Sequence, residues 1–234
     1  MRHNHTIELV EKLLLDGKVE QATKLLERIR IDFKPGEMQL FDRWIAMAPN
    51  NELLFEVRAL VENEAGQDES AALDLVRGIL VARSGEASSE LTVLLMRIGQ
   101  NFRLPDWART ALEAASARLG RDLEAEKKHL LAAIRMAPEE ATLFVALARN
   151  QRGSSSDLEI FALRNALELV PDWIEGEVEL ARAHRGAGDL KSARRVIKGL
   201  LERWPDSFLA MVEREAIARA DEERSPSGRR RRAA

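Results

Sequence analysis

Proline spacing is the strongest constraint in this sequence. Prolines stand at 105, 138, 171 and 205, at intervals of 33, 33 and 34, and Pro35 lies 70 residues before Pro105, about two periods. Turn residues keep the same beat at Gly17, Asn50, Gly85, Gly120, Gly153 and Gly186, spaced by 33 to 35. A proline stops a helix because it has no N–H and its ring clashes with the preceding turn. A glycine or asparagine at a helix end takes the left-handed conformation cheaply. Each proline precedes the next turn residue by about half a period, so one helix runs from Pro to Gly and a second from Gly to the next Pro.

Between these punctuation marks the apolar residues fall at helical spacing. Leu123, Leu130, Leu131 and Ile134 share one stripe, as do Val196, Ile197, Leu200 and Leu201. Alternating β-branched runs are missing. The pattern predicts an all-α chain of twelve helices in six hairpins and a thirteenth helix near 206–222. A hairpin of about 34 residues cannot bury its apolar face alone, so neighbours must stack into one continuous core. An acid follows the proline at Asp106, Glu139, Asp172 and Asp206, placed to cap the next helix or to meet its positive end. The polar residues Glu213, Arg214, Glu215 and Arg219 suit a solvent face on the last helix.

The period and residue pattern resemble the tetratricopeptide repeat (TPR) family. The best match runs from Trp173 to Pro205, with Leu180-Ala181, Gly188-Asp189, Ala193, Ile197, Leu200 and the terminal proline. The two preceding units supply Leu147-Ala148, Gly153, Ala166 and Pro171, then Gly120, Asp122, Leu130, Ala133 and Pro138. The match is good over 105–205 and thin before it. In 36–104 two registers compete: an even division into hairpins, which the turn spacing favours, or a unit of its own at 52–85 carried by Gly66, Ala71 and Leu75. The resemblance implies a right-handed α-solenoid over residues 1–223, a capping helix at its end, and a protein-interaction scaffold without catalytic residues or cofactors.

In this family the first helix of each repeat lines the concave groove. Two such helices end alike, in Arg149-Asn150-Gln151-Arg152 and Arg182-Ala183-His184-Arg185. Arginines three apart share a helical face, so Arg149, Arg152, Arg182 and Arg185 form a basic ladder, which Arg118 extends imperfectly. Guanidinium groups hold carboxylates in bidentate fashion, and the ladder fits an acidic segment of a partner protein or a C-terminal carboxylate. The competing reading is ordinary: cations favour a helix C-terminus, and Glu179 stands ready to pair with Arg182. The lysine–asparagine–arginine clamp by which some family members hold chaperone tails is not matched. Trp107 and Trp173 hold equivalent positions and are expected to pack between hairpins.

Composition trims the alternatives. The 234 residues include no cysteine, which removes disulfides, zinc–thiolate sites and a cysteine nucleophile. No nucleophile elbow, zinc-protease, Walker or dinucleotide motif occurs. His3 and His5 lack companion ligands for a metal. No apolar run reaches the roughly 18 residues of a membrane span or has the form of a secretory signal, so a cytoplasmic location is expected. Residues 1–223 carry a formal charge of −8, whereas 224–234 hold five arginines and no acid. This basic tail is expected to be disordered. It supports the alternative of a nucleic-acid-associated repeat protein; a regulatory subunit of an enzyme would carry the same sequence pattern. The apolar residues Ile7, Val10, Leu13 and Leu14 of the first helix suggest an edge through which a homodimer could form.

Overall fold

The computed structural model describes residues 2–16, 18–29, 33, 35–98 and 103–224. The described residues form thirteen α-helices and one short 3-10 turn at Pro35–Glu37, with no strand. In chain order they are α1 (Arg2–Leu15), α2 (Val19–Ile29), α3 (Met38–Met47), α4 (Glu52–Glu64), α5 (Asp68–Val81), α6 (Gly85–Ile98) and α7 (Asp106–Leu119). There follow α8 (Leu123–Met136), α9 (Ala141–Gln151), α10 (Ser156–Leu169), α11 (Ile174–Gly186), α12 (Leu190–Arg203) and α13 (Phe208–Arg224). The described residues are all-α and pack largely as sequential antiparallel helical hairpins. No helix among the described residues is long and apolar enough to cross a membrane. Gly17 and the arginines at 229–232 lie outside the described residues, as does the side chain of His3.

Two turn types alternate, and they define the repeat. Within a hairpin the chain passes through a left-handed residue: Gly188 between α11 and α12, and Arg121 between α7 and α8. The next amide then reaches back across the helix end, as Asp189 N to His184 O (2.9 Å) and Asp122 N to Ala117 O (2.9 Å). These bonds satisfy carbonyls that the helix leaves open. The caps come from this turn as well. Asp122 accepts from Ala125 N and Asp189 from Ser192 N, both at 3.0 Å. Of the acids after the prolines, Asp106 lies in the first turn of α7, where the positive helix end favours it, while the N-cap of α9 is Glu140, one residue past Glu139, and makes no side-chain cap bond. Between hairpins the helix ends at Ala137, Val170 and Trp204, with φ of −130 to −139° and ψ of 73 to 75°.

This distinction settles the register of 36–104. Gly66 has φ +74° and Gln67 N bonds Glu62 O at 2.8 Å, the within-hairpin geometry. Ala48 has ψ 64°, the between-hairpin geometry. Helices α4 and α5 are therefore the hairpin, and it is the second of the two registers that the molecule adopts. Pro49 was the missed signal, since Met47-Ala48-Pro49 repeats Met136-Ala137-Pro138. Gly85 starts α6 and does not end a helix, while Gly120 and Gly186 leave the left-handed position to Arg121 and Gly188.

Small residues at the contacts let the helices approach closely. Ala108, Ala111, Ala114, Ala133, Ala162, Ala166, Ala181 and Ala193 are all buried, with Leu130, Leu143 and Leu147 filling between them. The core falls into three apolar clusters. The first joins α1 to α4 around Phe33, Phe41 and Trp44, whose rings meet edge to face. Val10 and Leu14 are buried in it, Ile7 and Leu13 pack against it partly buried, and Leu9 is exposed. The second spans α4 to α11, and the third seals α11 to α13 with Ile197, Leu200, Ala210 and Ile217. Arg214, Glu215 and Arg219 are exposed on α13, but Glu213 is buried. It faces the preceding hairpin and accepts from Arg185 there.

Candidate functional site

The four predicted arginines do come together, and the structure gives them two different settings. Arg149 lies in the last turn of α9 and points at the end of α5. Its Nη2 donates to Leu80 O at 2.6 Å and its Nη1 to Ala82 O at 3.3 Å. Arg118, at the end of α7, donates to Leu80 O (2.5 Å) and Ile79 O (2.7 Å). Two first helices thus grip the C-terminal carbonyls of a third helix, where open acceptors and the negative dipole end favour cations. Burial lowers the pKa of both arginines. For Arg149, with Arg118 adding repulsion, the value falls to about 10, so it stays cationic at neutral pH.

The other three form a chain of ion pairs across α9, α11 and α13. Arg152 Nη2 and Arg182 Nη1 each bind one oxygen of Glu179 at 2.5 Å. Arg182 also stands 3.6 Å from Glu213, which accepts from Arg185 Nε at 2.6 Å. Glu213 is the reason α13 turns a carboxylate inward. Its hydrogen bond and charge raise the Arg185 pKa. The ladder is therefore not a bare strip of cations. Glu179 and Glu213 are buried and hold it in place, while the Arg152 and Arg182 side chains keep 55% and 46% of their surface exposed.

A second polar network holds the middle of α5. Asp74 is fully buried and binds Arg58 (Nη2 to Oδ1, 2.6 Å) and Arg77 (2.8 Å). Arg77 continues to Glu140 at the start of α9 (2.8 Å) and lies 6.0 Å from the Trp107 ring. Burial pulls the Arg77 pKa down, but Glu140 and Asp74 outweigh it and raise the value.

Between the end of α5 and helices α9 and α11 lies a cleft of about 280 Å³. Arg149, Arg152 and Glu179 border it, with Asn50, Arg83, Trp173 and Glu175. Asn50 donates to Glu175 at 2.9 Å, and Arg83 lies 3.8 Å from the same carboxylate. Trp173 is 3% exposed, and its indole N–H has no acceptor; Asn50 Oδ1 has no donor. The sequence marks Asn50 only as a turn residue and Trp173 only as core, and nothing local marks Arg83. Trp44 is enclosed, while Trp107 and Trp204 are partly buried.

Among the described residues no group of three or more His, Cys, Asp or Glu could hold a metal. His129 pairs with Glu113 (3.0 Å) and His184 with Arg164 and Asp189, in different repeats.

No protein-family model matches the chain, and no curated protein does. The chain is similar to the solved TPR domain of P58(IPK), with 16% identity, a TM-score of 0.46, and coverage of 94% of this chain. It spans about 65% of the length of that domain.

Proposed function

We propose that this chain is a non-enzymatic scaffold or adaptor that receives an acidic segment of a partner protein on the face formed by the ends of α9 and α11. The observation that carries the reading is the shared carboxylate of Glu179. It holds Arg152 and Arg182 side by side on adjacent first helices, each about half exposed. A guanidinium has five N–H donors in a fixed fork, so one oxygen of Glu179 does not exhaust either group. Preorganised donors of this kind lower the ordering cost of binding an incoming carboxylate. The roles of Arg149 and Arg185 differ: Arg149 anchors α5 and Arg185 secures α13, so both support the binding face from behind.

An array of acidic, neutral and basic twelve-residue peptides, probed with wild type and with Arg152→Glu/Arg182→Glu, tests the reading. Preferential binding of acidic members, lost in the double variant, is expected. Equal binding of acidic and basic members, or acidic binding untouched by the double reversal, would overturn it.

A further inference from the structure

We infer that the cleft beside this face is an anchor pocket for one glutamate-like residue of the partner segment together with the peptide group next to it. The inference rests on the scaffold reading above and names what one part of that surface holds.

Two orphaned polar atoms motivate it. Trp173 offers a buried N–H with no acceptor, and Asn50 offers a buried Oδ1 with no donor; both residues form the cleft wall. A peptide group carries one C=O and one N–H, and so has what each atom lacks. Trp44 also has an unpartnered N–H, but it packs against Phe33 and Phe41 and does not line this cleft. The Trp173 ring is held in place by Gly176, where a Cβ would collide with the six-membered ring.

Charge selects the side chain. Arg83 and Arg152 are about half exposed at the cleft, and Arg83 stands 3.8 Å from Glu175, beyond hydrogen-bond length. With Arg149 they outnumber the two carboxylates of the wall, so an added anion is favoured over an added cation. Val145 and Leu163 supply apolar wall for the methylenes of a glutamate stem. At about 280 Å³ the cleft falls just short of the roughly 300–1,000 Å³ of small-molecule pockets. It suits one residue and its backbone better than a whole metabolite.

The test follows the four indole N–H signals of the full chain by ¹⁵N–¹H NMR, with the Trp173 signal assigned from Trp173→Phe. The probes are the blocked hexapeptide Ac-Gly-Ser-Glu-Ala-Gly-Ser-NH2, its Glu→Lys counterpart, and glutarate. The Glu peptide is expected to move the Trp173 signal downfield and the Lys peptide to leave it still. Asn50→Ala and Arg83→Gln are each expected to weaken Glu-peptide binding about tenfold, the equivalent of about 1.4 kcal/mol. The other three indole signals report that these variants remain folded, and Trp173→Phe, which keeps a ring without the donor, should weaken binding too. A silent Trp173 signal at millimolar Glu peptide would overturn the inference. So would glutarate binding as tightly as the peptide, which would make this a free dicarboxylate site. Acidic array peptides that bind through Arg182 while Trp173 stays silent would sink the pocket and leave the scaffold reading standing. Failure of every acidic array peptide would sink both.

Discussion

Arg149 of α9 donates to the backbone carbonyl of Leu80, 69 residues earlier in the chain, at the end of α5. With Arg118 it places cations from two repeats on the negative end of a third helix. The ends of α7 and α9 are thus occupied by the chain's own α5, and Arg152 is the first arginine of the ladder that does not bond it. Arg149→Met should therefore cost about 1–3 kcal/mol, the range for charged hydrogen bonds and the groups they leave unpaired. Arg219→Met, at an exposed position with only an i, i+4 surface partner, should fall within about 0.5 kcal/mol of wild type. Urea unfolding of the two variants checks the contrast, and equal losses would remove the anchoring role of Arg149.

Asp74 is the buried hinge of the second network. Removing it leaves Arg58 and Arg77 without their shared partner inside the protein. Asp74→Ala is expected to destabilise by about 3–5 kcal/mol, as breaking a buried ion pair from one side does. Thermal unfolding measures it, and a loss below about 1 kcal/mol would contradict the assignment.

Gly176 has a conformational duty unrelated to turns. It lies within α11, and its Cα faces the Trp173 ring so closely that a Cβ has no room. Alanine normally favours a helix over glycine by about 1 kcal/mol. Here overpacking should win, and Gly176→Ala should lower stability by about 1–3 kcal/mol. Intrinsic fluorescence should shift as the Trp173 ring leaves its seat. A stabilised variant would mean that the ring moves aside without cost.

How much of this was legible beforehand depends on the range of the interaction. Helix ends at Pro105, Pro138, Pro171 and Pro205 are local chemistry, and the sequence states them openly. The arginines at the ends of α9 and α11 were also visible, because i, i+3 spacing on a helix fixes a shared face. Their partners were not. Glu179 joins Arg152 to Arg182 only once α9 and α11 stack, and Glu213 reads as a solvent residue until α13 is docked. The register of 36–104 was ambiguous because a glycine can begin a helix as well as end one. Gly85 does the former and Gly66 the latter, and only backbone φ separates them. The placement of α5 against α7 and α9 is a tertiary choice with no local signature.

His184 gives the fold a pH dependence of definite sign. Burial lowers its pKa below 6.5, Arg164 adds to this, and Asp189 opposes it. The unfolded chain binds a proton near pH 6.5 that the folded chain resists. Stability present above that pH is therefore lost as pH falls through 6.5 toward the lower folded value. His184→Gln should flatten this segment of the stability–pH curve, measured by urea titration between pH 8 and 5. A variant with an unchanged slope would show that other groups set it.

The most direct measurement is amide hydrogen exchange on the full chain, with and without an acidic peptide selected from the array. Binding at the Glu179-centred face predicts new protection in residues 145–152 and 173–185, with α12 and the outer side of α13 unchanged. Protection confined to α12 and α13, or spread evenly over the array, would contradict that placement.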